Sequence, residues 1–363
     1  VNAVAVMPAV VAHGLGLPLA QGNPSFVNDL FNGFWWIVIV KALLVLIVFL
    51  SAPMVVGYME HKVLAHMQHR LGPMYAGGFH GWAQLIADGV KFVQKEDVIP
   101  NAADRWVFGL APAVAMIPYI LLFAVIPFDG GIYAENLDVG IFFVVAVTSI
   151  SVIGILMAGW SSANKFSLIG ALRAAAQLIA YELPLILAAV AVVMQASGLV
   201  PGSDGHSSLS LLFITEAQQK LWFVFPQIVG FLIFMIAAVA ELTRPPFDMP
   251  IADSEIIFGA YTEYSGLRFA FFLLAEYGGI VALSAIASVL FLGGFQPLPF
   301  LSFIPGWMWM AGKILGLSFF IIWLRATYPR LREDQLQRFS WVGLIPLALL
   351  NLMITAFLKV AVG

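Results

Sequence analysis

Eight stretches of this chain are each long and apolar enough to cross a lipid bilayer, and this limits the fold more than any other feature. They fall at residues 33–59, 106–127, 139–159, 174–194, 221–242, 268–292, 307–323 and 341–360. Each is close to the ~20 residues that a ~30 Å hydrocarbon core asks of a helix. The chain is 61% hydrophobic and 10% charged, whereas a soluble domain is about half apolar and about 25% charged. A soluble fold has nowhere to hide so much apolar surface; lipid, an apolar solvent, accepts it. Closed barrels of strands also span membranes, but no run here alternates with a period of two. The expected fold is therefore all-α and polytopic, with about eight transmembrane helices and amphipathic helices in the loops. Trp106, Trp160, Trp222, Trp307, Trp323 and Trp341 stand at run ends, as interfacial anchors do.

Basic residues orient the bundle. With the connections numbered in order, loop 1 holds Lys62, Arg70, Lys91, Lys95 and Arg105, and loop 3 holds Lys165 and Arg173. Arg244 and Arg268 border loop 5; loop 7 holds Arg325, Arg330, Arg332 and Arg338. The even loops hold only Lys220. Odd loops are thus expected in the cytoplasm and both termini outside. Residues 1–32 are broken by Pro8, Gly14, Gly16 and Pro18 and lack the basic start of a signal peptide. They read as an extramembrane or interfacial arm ahead of a membrane domain at 33–363. The chain has no cysteine, which excludes thiolate metal sites and protein-ligated iron–sulfur clusters. A redox centre either binds without thiolates or belongs to another chain. The halves show no obvious internal repeat, which counts against a transporter built from inverted repeats.

Loop 1 is patterned. Over 60–71, Lys62, His66, His69 and Arg70 share one helical face and Leu64, Met67 and Leu71 another; over 82–95, Gln84, Asp88, Lys91 and Lys95 oppose Trp82, Leu85, Gly89 and Val93. Two amphipathic helices are expected, joined through Gly72-Pro73 and Gly77-Gly78. They fit a membrane surface, and the interspersed acids Asp88, Glu96 and Asp97 equally fit a docked cytoplasmic protein. His61 points away from His66 and His69, so solvated or partner-facing histidines are expected rather than a metal site.

Carboxylates are the second theme. Loop 5 carries Glu241, Asp248, Asp253, Glu255 and Glu263 beside Ile256, Ile257, Phe258, Tyr261 and Tyr264. A solvated acidic loop is one reading. The interleaved apolar residues suggest a partly buried one, and buried carboxylates carry protons near neutral pH. Glu182 lies about 12 Å into the fourth run, where a charge costs ~3 kcal/mol on insertion scales. Pro184 frees the carbonyl of Ala180, leaving a polar pocket where water can sit. Glu276 lies similarly in the sixth run. Such acids either hydrogen-bond between helices or handle protons, and their number favours the second. Lys41 and Lys313 are long enough to snorkel. No phosphate-binding loop, nucleophile elbow or zinc-protease helix is present, and nothing points to nucleic acid.

The loops resemble a known family. Glu60-His-Lys-Val-Leu-Ala-His-Met-Gln-His-Arg70-Leu-Gly-Pro73, Gln84, Ala87-Asp-Gly-Val-Lys91 and Lys95-Glu96 are similar to the first cytoplasmic loop of the H subunit of bacterial NADH:quinone oxidoreductase (complex I). So are Gly159-Trp-Ser-Ser-Ala-Asn-Lys165 through Arg173, Tyr181-Glu182, Arg244-Pro-Pro-Phe-Asp248, Tyr261-Thr-Glu-Tyr-Ser265 and Ala275-Glu-Tyr277. The match runs from about residue 33 to the C-terminus. It implies a subunit at the junction of the peripheral and membrane arms, binding quinone at a shared site and coupling its reduction to proton translocation. The first helix, the loop-1 helices and the sixth helix would frame the quinone tunnel, with Glu60, His61, Lys62, Arg70, Asp88 and Lys91 along it. Glu182, Glu241, Asp253, Glu255, Glu263 and Glu276 would form the proton path, and Arg173, Arg244, Asp248, Arg330 and Arg332 would dock partners. Those partners would be the soluble quinone-site and iron–sulfur subunits and small membrane subunits, in the bacterial inner membrane, with no metal or flavin in this chain and no activity alone. The alternatives are a standalone proton-coupled secondary transporter and the membrane anchor of a related hydrogenase or ferredoxin-driven complex. This chain departs from the family pattern at His61, at Met74-Tyr75, at Ser149 and at Ile251.

Overall fold

The computed structural model describes residues 35–197, 209–251, 253–297 and 303–362. The arm at 1–32 lies outside the described residues. The helices are α1 (Trp35–Met67), α2 (Gln84–Gln94), α3 (Arg105–Val125), α4 (Gly140–Ser161), α5 (Lys165–Ala196), α6 (Leu211–Ala217), α7 (Ile228–Glu241), α8 (Asp253–Ile256), α9 (Gly266–Phe291), α10 (Gly306–Thr327), α11 (Glu333–Arg338) and α12 (Ile345–Val362). A π turn at Phe339–Leu344 joins α11 to α12. No strand occurs among the described residues. The chain is an all-α polytopic membrane protein: seven helical spans are long and apolar enough to cross, and α7 is a shorter apolar helix.

Each of the eight apolar runs becomes a helix, but three boundaries differ from the sequence expectation. The first loop-1 amphipathic segment is no separate helix. It continues the first span as α1, whose 33 residues reach ~50 Å, so its last turns project beyond the hydrocarbon. Likewise 165–173 opens α5, where the Asn164 side chain accepts from the Phe166 N–H as N-cap. The fifth run shrinks to the 14 residues of α7 because the backbone ahead of it is engaged elsewhere. Phe223 N–H donates to Gln218 Oε1 at 3.1 Å, and Val224 N–H donates to Phe291 O at 2.8 Å.

The C-terminal half of α9, from Gly278 to Phe291, is enclosed on all sides, whereas α1 and α12 carry exposed apolar faces, with Leu43 and Ile47 on one and Met353 and Phe357 on the other. A bilayer covers such faces. Small residues let helices meet closely. A Cβ on Gly154 of α4 would lie 2.5 Å from Ala115 N and 2.7 Å from Ala115 Cα in α3. Gly154→Val should therefore push α3 away from α4 and cost about 1–3 kcal/mol, read as a lowered melting temperature in detergent.

Buried polar groups close the remaining gaps. The Ala180 carbonyl freed by Pro184 is not left to water: Ser340 Oγ, on the π turn, donates to it at 2.5 Å. Lys313 does not snorkel away. Its Nζ donates to Leu292 O, Gly294 O and Gln296 O at 2.7, 2.7 and 2.9 Å, placing a cation at the C-terminal end of α9, where the helix dipole favours it.

Candidate functional site

An apolar cavity of about 630 Å³ opens between α1, α2 and α9. Pro53, Met54 and Gly57 of α1 line it, with Ile86 and Gly89 of α2 and Leu274 of α9; Asp88 is the one carboxylate among its lining residues. The loop before α2 is tied to α1. Tyr58 OH donates to His80 O at 2.9 Å, and Lys62 Nζ donates to Pro73 O at 2.5 Å and to Met74 Sδ at 3.2 Å. Met74, a departure from the family pattern, thus supplies an acceptor to Lys62. Gly81 has φ +67°, and a Cβ there would meet Pro73 O at 2.6 Å, so the turn requires glycine. Beyond α2, Ser265 Oγ accepts from Val98 N–H at 3.2 Å, and Arg268 pairs with Asp97 at 3.3 Å. Asp88 accepts from Gln84 Nε2 at 3.3 Å and pairs with Lys91 at 3.4 Å. His61, Arg70 and Lys91 are exposed, and Arg70 Nε donates to Gln68. Among the described residues no group of three His, Asp or Glu is placed to hold a metal.

Behind this cavity lies a buried ion cluster. Arg244 NH1 donates to both oxygens of Glu60, at 2.8 and 2.9 Å. Arg244 Nε lies 2.6 Å from Glu276 Oε1, and Arg325 pairs with Glu60. Glu60 and Arg244 are each 3% exposed, so water screens neither. Two carboxylates and two guanidinium groups cancel, which is what lets charges persist in an interior. The Arg244 guanidinium also rests over the Tyr277 ring, 4.8 Å from its centroid. Arg244 thus lies inside the chain rather than on a face.

Beyond the cluster, a polar cavity of about 30 Å³ is lined by Tyr119, Ser151, Glu241, Tyr261 and Glu276, among others. A space of this size suits about two waters. Glu241 Oε2 is buried without a hydrogen-bond partner in the protein, and this space adjoins it. Glu241 and Glu182 are close enough to interact electrostatically. Ser149, at another departure from the family pattern, donates to Glu182 Oε1. Burial pushes the Tyr261 phenol up, so it stays neutral and faces the cavity as a hydroxyl.

The other expected acids are placed differently. Glu263 accepts from Asn164 Nδ2 at 2.6 Å, and Asp248 is half-buried. The side chain of Asp253 lies outside the described residues. Glu255 is 48% exposed and meets Arg173 at 2.6 Å and Arg330 at 3.3 Å. The Arg173 hydrogen bond, with help from Arg330, holds its carboxyl below the usual range. What the pairing contributes is therefore present above the ordinary carboxylate pKa and lost only as pH falls through the lowered value. Glu255 stays charged at neutral pH. Arg173 also reaches Glu333 at 3.4 Å, and Arg332 grips Asp334 with two contacts of 2.6 Å. These pairs form a charged face on the side of loops 3, 5 and 7.

The sequence expectation missed Tyr119, Ser151 and Tyr277, and it counted Arg325 only as a loop charge. One signal was available: Tyr277 directly follows Glu276.

Apolar helices packed around ionisable groups that are buried and mutually neutralised define an integral membrane protein with polar chemistry in its interior. The family model described as NADH dehydrogenase matches residues 40–356. The NADH-quinone oxidoreductase H subunit of Bacillus mycoides is 47% identical over 300 residues, covering 83% of this chain and 87% of its own length. The H subunit of Geobacillus kaustophilus is 46% identical over the same shares. That of Anoxybacillus flavithermus is 43% identical over 341 residues, 94% of this chain and 98% of the relative. The chain belongs to the NADH dehydrogenase family, in the group formed by the H subunits of NADH-quinone oxidoreductase.

Proposed function

We propose that this chain is the quinone-site membrane subunit of a proton-translocating NADH:quinone oxidoreductase, complex I. The observation that carries the reading is the meeting of two unlike cavities on α9. Tyr277 lines the apolar one, and its neighbour Glu276 lines the polar one. A quinone carries an isoprenoid tail, which an apolar cavity solvates. Its two-electron reduction consumes two protons, which a row of buried acids is suited to deliver. The chain has no cysteine and ligates no iron–sulfur cluster of its own; on this reading the electrons come from a cluster held by a soluble partner. That partner docks on the charged face around Arg173, Glu255 and Arg330. Odd loops then face the cytoplasm and both termini the outside of the bacterial inner membrane. The chain alone has no activity and co-purifies with hydrophilic subunits, unlike a standalone transporter.

Gly89 provides the test. It lines the cavity, and a Cβ there meets nothing within 4 Å, so a larger side chain projects into open space. Gly89→Phe should raise the apparent KM for a long-tailed quinone about tenfold and that for a short-tailed one much less. Equal KM values for both quinones, unchanged from wild type, would remove the cavity from the quinone path.

A further inference from the structure

We infer that Tyr277 is the positioning residue through which a ligand in the apolar cavity acts on the buried carboxylates. The inference rests on the reading of that cavity as a quinone site and deepens it.

Tyr277 belongs to two environments at once. It lines the apolar cavity beside Gly57, Leu274 and Asp88. Its ring is also the platform for the Arg244 guanidinium, 4.8 Å from the ring centroid, and its hydroxyl lies within hydrogen-bonding reach of the same cation. That cation is shared: NH1 donates to Glu60 at 2.8 Å, and Nε lies 2.6 Å from Glu276 as an ion pair without the alignment of a hydrogen bond. The sharing is unequal in consequence. Glu60 has a second cation in Arg325, whereas the ion pair of Glu276 is with Arg244.

A ligand that presses on the Tyr277 ring therefore moves a guanidinium that cannot fall back on water, since Arg244 is 3% exposed. If the cation shifts away from Glu276, Glu60 keeps its direct ion pair with Arg325, whereas Glu276 keeps only the longer-range attraction of that arginine. Glu276 is half-buried, 22% exposed, and a carboxylate so enclosed that loses its cation is relieved by taking up a proton. Glu276 faces the polar cavity that also holds Glu241, Tyr119 and Tyr261, so that proton is drawn from, and returned to, the row of acids. Charged and titratable groups act on Glu276 from several elements: Glu60 on α1, Arg325 on α10, Arg244 and Glu241 from the α7 end, Tyr119 on α3, Tyr261 just before α9 and Tyr277 beside it. Of these, Arg244 is the one that rests on a cavity-lining ring. The device needs an aromatic face, because a cation above a ring is held by the ring quadrupole; an aliphatic side chain fills the same space without holding the charge.

The test uses the assembled complex in liposomes, with a short-chain benzoquinone as acceptor, and measures protons translocated per electron. Tyr277→Leu should lower this ratio about twofold or more, whereas Tyr277→Phe should hold the wild-type ratio, whatever happens to turnover in either. Tyr277→Met is the second ring-free variant, and should match Tyr277→Leu. A wild-type ratio in the ring-free variants, or a fall in Tyr277→Phe as large as theirs, overturns the inference while leaving the quinone reading intact. A wild-type complex that reduces quinone without moving protons overturns the inference together with the proton-translocating part of the proposed function, and a wild-type complex that reduces no quinone overturns the quinone reading itself. Should neither ring-free variant assemble, Tyr277→Phe decides: a lowered ratio refutes the role of the ring and a retained one upholds it.

Discussion

Arg244→Ala is expected to cost about 3–5 kcal/mol of stability, because it leaves buried carboxylates without their cation. The thermal midpoint of the detergent-solubilised complex should fall accordingly, or the subunit should fail to assemble. Arg325 still pairs with Glu60, so the larger share of the damage falls on Glu276. Arg244→Lys should recover only part of the loss. Lysine offers one compact ammonium, whereas the native guanidinium reaches Glu60 and Glu276 with different nitrogens and lies flat on Tyr277. Combining Arg244→Met and Arg325→Met with Glu60→Gln and Glu276→Gln should restore much of the stability, since an apolar or neutral replacement of a whole buried cluster is often tolerated where a broken one is not. Arg173→Ala is the control. Its partners are about half exposed, and an exposed pair contributes ~0–1 kcal/mol. If Arg244→Ala melts with the wild type, the cluster does not anchor the bundle.

The contrast between Arg173 and Arg244 shows where sequence stops being informative. Both are arginines at the borders of odd-numbered loops, and charge counting treats them alike. One sits on the surface; the other is enclosed because α1, α9 and α10 converge on it. The sequence separations explain why this was hidden: Arg244 meets Glu60 across 184 residues, and Arg325 meets Glu60 across 265. Local periodicity carries no information about such pairings. The spans were legible because a bilayer imposes length and apolarity on every crossing helix. The buried acids were legible because a carboxylate in an apolar run is chemically out of place. Tyr119 was not, since a tyrosine in such a run looks like ordinary packing, and Tyr277 was marked only by its place directly after Glu276. Pro184 is an intermediate case. Its freed carbonyl was foreseeable from the residue alone, but the Ser340 hydroxyl that satisfies it lies 160 residues further along the chain, in a π turn at the joint between two helices.

Glu241→Gln is expected to lower proton translocation coupled to quinone reduction about tenfold or more, equivalent to ~1.4 kcal/mol or more on the barrier. Glutamine keeps the volume and the hydrogen-bonding oxygen of glutamate but cannot bind and release a proton, so the fold survives and the loss reports on titration. Glu241 is suited to this role by position: it is 6% exposed, lines the polar cavity with Glu276, and has one oxygen without a protein partner. Glu182→Gln extends the test one step along the row. Ser149 donates to Glu182, and a glutamine carbonyl accepts that bond equally well, so a purely structural carboxyl would tolerate the change. A loss of proton uptake in both variants, with assembly intact, places Glu182 and Glu241 in one relay. Normal uptake in Glu182→Gln alone would end the relay at Glu241 and return Glu182 to a helix-pairing role, while normal uptake in Glu241→Gln would mean that protons reach Glu276 by some other path.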